Sequence, residues 1–248
     1  MIITNLGSGS KGNSTLIETG SVNILIDAGL SFKNLEKRLG RPFPVINVLI
    51  LTHTHKDHIQ SINKIITKYN PLFITIENDK ESKLSIYNNI CYDKRIIVNN
   101  IEIETIKLSH DVPCIGLIIK EKDKDKELVY ITDTGYIKEK TLEKIKNKDM
   151  YIIESNYDEE MLSKGPYPFY LKQRIRSPRG HLSNDDTLRY LKHLIGPKTK
   201  YISLAHLSEE NNNPELVISN MKKLKTEVNN NIKEIKIYSQ EEKNITNL

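Results

Sequence analysis

Short apolar runs broken by turn residues fill the N-terminal part of the chain. Ile2-Ile3 leads into Gly7-Ser8-Gly9-Ser10-Lys11-Gly12, and Thr15-Leu16-Ile17-Glu18 turns at Thr19-Gly20 into Val22-Asn23-Ile24-Leu25-Ile26-Asp27. The second pair reads as a β-hairpin. Leu30, Leu35 and Leu39 predict a helix from about Ser31 to Leu39, and Pro42 and Pro44 then break the chain before an apolar strand, Val48–Leu51. From Asp57 to Tyr69, Ile59, Ile62, Ile65 and Ile66 recur at helical spacing and predict one helix. Further strands are expected at Leu72–Ile76, Ile96–Val98, Ile101–Leu108, Ile115–Ile119, Leu128–Thr132, Met150–Ile153, Tyr201–Leu204 and Ile235–Tyr238, and further helices at Lys138–Asn147, Asp185–Leu194 and Pro214–Glu227. The charge-alternating stretch Glu121–Glu127 reads as a solvated hairpin turn. Many strands with interspersed helices predict a layered α/β (α+β) sandwich, and no shift of composition marks a domain boundary.

Composition narrows this picture. At 248 residues the chain is long enough for an ample core; 38% hydrophobic and 28% charged residues exclude a disordered chain, and 11 Gly and 9 Pro a fibrous one. No apolar run approaches the ~18–20 residues of a membrane span, and no signal-peptide pattern opens the chain. Cys91 and Cys114 cannot build a disulfide framework, so a soluble protein of the reducing cytoplasm is expected. Thirty-seven Lys and Arg against 32 Asp and Glu give +5, compatible with a nucleic-acid partner.

Gly7-x-Gly9-x-x-Gly12 matches a dinucleotide fingerprint, with Asp27 near the expected acidic position. That mechanism needs the third glycine to open a helix, whereas Asn13-Ser14-Thr15-Leu16-Ile17 opens a strand, so a turn between strands is the reading adopted. The chemistry lies in Thr52-His53-Thr54-His55-Lys56-Asp57-His58, where an apolar strand ends and a helix begins. Strand alternation sends His53 and His55 to one side, and the first helical turn brings Asp57 and His58 into the same space. Imidazole nitrogens and a carboxylate oxygen at ~2.0–2.2 Å are what a divalent cation requires. A cluster this dense can feed two cations, and His110, Asp133 and His206 each follow a predicted strand, where α/β folds place their sites. His193, in an amphipathic helix, reads as surface, and Cys114 as a small core residue.

The order His-x-His-x-Asp-His, then single His, Asp and His, resembles the metallo-β-lactamase superfamily. The resemblance implies a four-layer αββα sandwich, one domain over 1–248 made of two similar halves, with a di-metal site at one edge. It places His53, His55 and His110 on one metal, Asp57, His58 and His206 on the other, and Asp133 between them. Gly7–Ser14, Glu154-Ser155-Asn156-Tyr157-Asp158, Arg174-Ile175-Arg176-Ser177, Gly180-His181-Leu182-Ser183-Asn184 and His206–Asn212 are similar to the YycJ/WalJ family within it. Members are 5′→3′ DNA exonucleases, with DNA repair as the implied setting. The chain departs from that family at Tyr157, where His is common, and at Glu209, where a basic residue is usual.

The function implied is a metal-dependent phosphodiesterase or nuclease in which a hydroxide held by two divalent ions, Zn or Mn, attacks phosphorus. Asp57 would orient that nucleophile, and His181, partnered by Glu154, would donate to the phosphate or leaving oxygen. His181 reads alternatively as part of a capping loop before the helix that starts at Ser183/Asp185. From Lys164 to His181 the chain carries Lys172, Arg174, Arg176 and Arg179, with Tyr167, Phe169 and Tyr170 interleaved and no acidic residue. This is either a substrate strip, to which Ser183 would add a polar contact, or a solvated loop over a small aromatic core. The rival readings are a small-molecule metallohydrolase (cyclic phosphate, ester or thioester) and a binding module without turnover.

Overall fold

The computed structural model describes residues 1–76, 89–90, 92–228, 231–239 and 243–248, and Cys91 lies outside them. The first sheet is laid down by β1 (Ile2–Gly7), β2 (Ser14–Glu18), β3 (Asn23–Ile26), β4 (Val48–Ile50), β5 (Leu72–Ile76) and β6 (Asn89–Ile90). The second is built from β7 (Arg95–Val98), β8 (Ile101–Lys107), β9 (Ile115–Glu121), β10 (Lys126–Ile131), β11 (Met150–Glu154), β12 (Tyr201–Ala205) and β13 (Glu234–Ile237), before β14 (Asn244–Asn247) returns to the first. The orders are β14-β1-β2-β3-β4-β5-β6 and β13-β12-β11-β10-β9-β8-β7. Each sheet changes character at one strand: β3 pairs antiparallel with β2 and parallel with β4, and β10 pairs antiparallel with β9 and parallel with β11.

Period-two alternation places the core. Ile24, Ile26, Val48 and Ile50 point between the sheets and meet Leu117, Ile119, Leu128, Tyr130 and Ile152 there. Their neighbours Leu25 and Leu49 point outward onto α1 (Phe32–Leu39) and α3 (Ile62–Tyr69). Val129, Ile131, Tyr151 and Ile153 point outward onto the helices of the other face: α4 (Glu139–Ile145), α7 (Asn184–Leu194) and α8 (Pro214–Val228). Each such side chain contributes about 1.5–3 kcal/mol on burial, so a register slip of one residue would be prohibitive. The architecture is the four-layer αββα sandwich that the resemblance implied.

Three expectations are corrected. The run Asp57–Tyr69 is two helices, α2 (Lys56–Ile59) and α3, because its junction docks on another loop: Ala28 N–H donates to His58 O, Ser61 N–H to Ala28 O, and Ser61 Oγ to Leu30 O. Glu121 is not solvated; it is buried and accepts from the N-terminal ammonium of Met1 at 3.2 Å and from Lys124 at 3.1 Å. The segment Lys164–His181 is not a loop over an aromatic core: it follows α5 (Glu159–Lys164) and contains α6 (Phe169–Arg176), whose Phe169 and Tyr170 stand in solvent. The closing strand β14 and the two-residue β6 escaped the periodicity, being too short and too polar to show one. The Gly7–Gly12 stretch is the turn between β1 and β2, not a helix start. No helix among the described residues is long and apolar enough to cross a membrane.

Candidate metal centre

Five of the seven predicted ligands lie just beyond a strand end, at one edge of the two sheets, and the other two on the short helix that follows β4. His53 and His55 follow β4, His110 follows β8, Asp133 follows β10 and His206 follows β12; Asp57 and His58 sit on α2. Asn13 N–H donates to Asp57 O (2.7 Å), pinning α2 to the turn that opens β2. Gly29 is required at the crossing: a Cβ there would come within 1.6 Å of Asp57 O. Asp27, Asp133 and His206 have φ of 58°, 58° and 57°, the left-handed region that non-glycine residues enter at a cost, typically at functional positions.

The groups converge. One ligand atom each from His53, His55 and His110 can be chosen within 4.8 Å of one another, and the same holds for Asp57, His58 and His206. Asp133 reaches both triads: it groups with His53 and His58 within 4.8 Å, and its Oδ2 lies 3.6 Å from His58 Nε2 and its Oδ1 3.4 Å from His206 Nε2. Each of the five imidazoles has its other ring nitrogen occupied. His53 Nδ1 meets Thr52 Oγ1 (3.1 Å), His58 Nδ1 meets Asp27 Oδ2 (2.8 Å), His110 Nδ1 meets Gly180 O (3.2 Å) and His206 Nδ1 meets Glu154 Oε1 (2.9 Å). His55 is turned the other way, Nε2 on Asp111 Oδ1 (3.2 Å) and Nδ1 inward, 3.4 Å from His110 Nε2. Holding the outer nitrogen in this way fixes the tautomer and aims the inner one, as metal-binding histidines require.

Three inner atoms of this cluster are left bare. His53 Nε2, Asp133 Oδ2 and His206 Nε2 are buried without a hydrogen-bond partner. An unpaired buried polar atom costs about 1–3 kcal/mol, so three around one point fit cations as the missing partners. The donor set is entirely nitrogen and oxygen, suited to borderline and hard divalent ions. Electrostatics agree. Burial works against ionised carboxylates, yet the surrounding imidazoles hold Asp57 and Asp133 well below the usual range. Burial likewise opposes charge on His58, but Asp27 and Asp133 drive it up to about 10, and His206 is raised by Asp133, Asp57 and Glu154. Burial instead pushes His53 and His110 down, so they present neutral rings.

A prediction follows for the metal-free protein. His58 titrates above its ordinary 6.5, so its pairing with Asp27 and Asp133 is complete below that pH and fades as pH rises through about 10. At pH 8 His58 therefore carries a proton that ligation must expel, and His206, raised as well, adds to it, so metal uptake should release at least one proton per protein. Titration calorimetry in buffers of different ionisation enthalpy measures this, and zero release would remove these rings from the ligand set.

His181 and Glu154 also sit as paired: His181 Nδ1 lies 2.7 Å from Glu154 Oε1, the oxygen that His206 Nδ1 shares. A cavity of about 410 Å³ opens over the centre, lined in part by His55, Asp57, His181, Tyr167, Arg174 and Arg179. The proposed strip divides. Arg174 is engaged by Asp111 and Arg176 by Glu159 (2.9 Å), while Lys172 Nζ donates to Ser163 O (2.7 Å). Arg179 has no carboxylate partner among the described residues. Lys172, Arg176 and Ser183 do not line the cavity, and Ser183 is buried as the N-cap of α7, its hydroxyl accepting from Asp186 N–H and donating to Asp186 Oδ2. Glu209 lines the cavity and pairs with Lys11 (2.6 Å), and Tyr157 is buried. Cys114 is buried in the core behind His53, and His193 is at the surface on Glu143.

Three partners went unread in the sequence. Asp27 holds His58, Asp111 holds His55, and Asn13 Nδ2 reaches both Asp57 Oδ2 (3.0 Å) and His58 Nε2 (2.9 Å). Asp27 carried a signal, an acid ending a strand just as Asp133 does; for Asp111, adjacency to His110 was the only hint.

Two sheets facing one another with clustered imidazoles and carboxylates at their edge define a class, and the chain belongs to the β-lactamase superfamily: residues 22–203 match the family described as beta-lactamase superfamily domain. Within that superfamily it is 37% identical to the exodeoxyribonuclease WalJ of Streptococcus pneumoniae serotype 2 (strain D39 / NCTC 7466), across 85% of this chain and 83% of that protein. It is 34% identical to the exodeoxyribonuclease YycJ of Bacillus anthracis, across 85% of this chain and 84% of that protein, so the chain belongs to the WalJ/YycJ family. Among solved structures, the metallo-beta-lactamase fold protein YhfI from Bacillus subtilis superposes with a TM-score of 0.71 at 19% identity, over 99% of both chains, a likeness of fold.

Proposed function

We propose that this protein is a metal-dependent 5′→3′ DNA exonuclease hydrolysing phosphodiester bonds, with 1–248 acting as one domain of two similar halves. The observation that carries it is the set of seven convergent candidate ligand groups, three of them with a buried inner atom left without a partner, set beside a cavity with an uncompensated arginine. His53, His55 and His110 would hold one divalent ion, Asp57, His58 and His206 a second, and Asp133 both; Zn and Mn each suit the donors. When bound, such ions supply Lewis-acid charge to the phosphodiester and lower the pKa of water. The chain's own groups do the rest. Glu154 fixes His181 by its Nδ1, so a protonated ring presents Nε2–H to the phosphate or leaving oxygen. Asp57, partly open to the cavity, stands where it can orient the attacking water. Arg179 offers a free guanidinium for a phosphate, whereas Arg174 and Arg176 are already neutralised by Asp111 and Glu159. Asp111 and Glu159 thus reduce the strip to a single strong phosphate contact. A cytoplasmic setting and a part in DNA repair come with the family likeness.

End-labelled single- and double-stranded DNA, RNA and a generic phosphodiester, incubated with Mn or Zn, test this reading against His55→Ala. Hydrolysis of DNA by the wild type and its loss in the variant are expected; activity confined to the small ester would favour the small-molecule hydrolase. Arg179→Ala should weaken DNA binding and reduce the slope of log K against log[salt] by about one, while Arg176→Ala should leave the slope alone.

A further inference from the structure

We propose that Phe169 and Tyr170 form a base-stacking platform for the unpaired end of a DNA strand entering the metal cavity. This rests on the nuclease reading and names the form of substrate that the site takes. Phe169 and Tyr170 are 76% and 74% exposed, adjacent, at the first turn of α6. Large exposed apolar side chains grouped together mark an interaction surface. The segment that carries the two rings reaches the site: Tyr167, Leu171, Arg174 and Ile175 line the cavity. Tyr170 lies four residues before Arg174, hence on the same row of the helix, one turn beyond the cavity wall. Phe169 lies three before Lys172, so a cationic stem flanks the outer ring as well.

The size of the cavity argues the strand state of the occupant. About 410 Å³ lies within the ~300–1,000 Å³ of small-ligand pockets and gives room for one nucleotide unit at the ligand groups. A terminal nucleotide must therefore leave its stack to reach the ligand groups, at a cost of a few kcal/mol for unpairing and unstacking. Aromatic faces at the mouth offset that loss whatever the base, because every base has a π-face. With no acidic residue between Lys164 and His181, nothing in the segment itself repels the backbone of a strand lying along it.

The test uses the metal-loaded protein and a single strand carrying 2-aminopurine near a phosphorothioate-linked end. Phe169→Ala/Tyr170→Ala should weaken binding by about tenfold or more, abolish the fluorescence change, and leave the salt slope unaltered, since no phosphate contact is lost. Phe169→Tyr/Tyr170→Phe, which keeps both rings, should bind as the wild type. If the wild type cuts DNA and the alanine variant binds and quenches like it, the platform is overturned and the nuclease reading stands. If the wild type sediments as a dimer that the alanine variant splits, the rings are a self-contact and the platform is again overturned. A wild type that leaves all DNA intact sinks the nuclease reading and the platform with it.

Discussion

Asp133→Asn is expected to leave the protein folded and to lower DNA hydrolysis by about 10³-fold or more. The substitution keeps side-chain shape and suits the backbone, since Asn accepts the φ of 58° that Asp133 adopts; Ala would add strain there. What it removes is charge. His206, His53, His58 and His181 hold the Asp133 carboxyl ionised despite complete burial, so the native residue places a full negative charge between two groups of ligands. An amide offers one neutral oxygen in its place, and its NH₂ would face a ring nitrogen, His58 Nε2 or His206 Nε2, that must stay bare for a cation. Loss of several kcal/mol of transition-state stabilisation, at about 1.4 kcal/mol per decade, gives the stated factor. Metal content after dialysis should fall in parallel, and the metal-free variant should unfold at a lower temperature, since the charged imidazoles of His58 and His206 lose a counter-charge. A variant with near wild-type turnover and full metal content would show that Asp133 is not shared between two ions.

The candidate cluster was legible because its spacing is local or strand-anchored. His53, His55, Asp57 and His58 announce themselves in one heptapeptide, and His110, Asp133 and His206 each follow a run of alternating apolar residues that fixes where a strand must stop. The two-layered core was legible for the same reason: in β3 and β4 the alternate residues Ile24, Ile26, Val48 and Ile50 had to face one way and Leu25 and Leu49 the other. What could not be read was who neutralises whom. Arg174 and Arg176 look like free cations in sequence, yet Asp111 and Glu159 lie 63 and 17 residues away and arrive only through folding. The break between α2 and α3 was hidden likewise, since Ile59 through Ile66 keep helical period across it. It is imposed by the Ala28–Leu30 loop, whose carbonyls and N–H groups claim the junction's hydrogen bonds. Asp27 was visible as a residue and missed as a partner, although it ends β3 as Asp133 follows β10, at the strand where each sheet turns from antiparallel to parallel.

Glu154→Gln is the sharper probe of the chemistry beside the ligands. Oε1 accepts from His181 Nδ1 at 2.7 Å and His206 Nδ1 at 2.9 Å, while Oε2 accepts from the backbone N–H of Thr134 at 3.0 Å and Leu182 at 3.2 Å. Four donors converge on two oxygens. A glutamine has only one acceptor oxygen, so in either amide orientation its NH₂ confronts two N–H groups and at least one buried donor pair is lost, costing about 1–3 kcal/mol for each group left unpaired. His181 then loses the contact that fixes its tautomer, and His206 the carboxylate that aims its Nε2. Orientation of a proton donor is worth about 10²–10⁴ in rate and a second-shell carboxylate about 10–100, so kcat should fall by about 10²–10⁴ while KM for DNA moves little. Stability supplies an independent reading. Burial works to raise the Glu154 carboxyl, but His181 and His206 hold it at about 2 against the ordinary 4.5. A depressed carboxyl favours the folded state fully above 4.5 and ceases to as pH falls to about 2, so the variant should trail the wild type at pH 7 and the gap should close towards pH 2. Denaturant unfolding of both proteins across that range measures it. A gap constant with pH would locate the loss in packing, and an unchanged kcat would show that His181 is not held in place through Glu154.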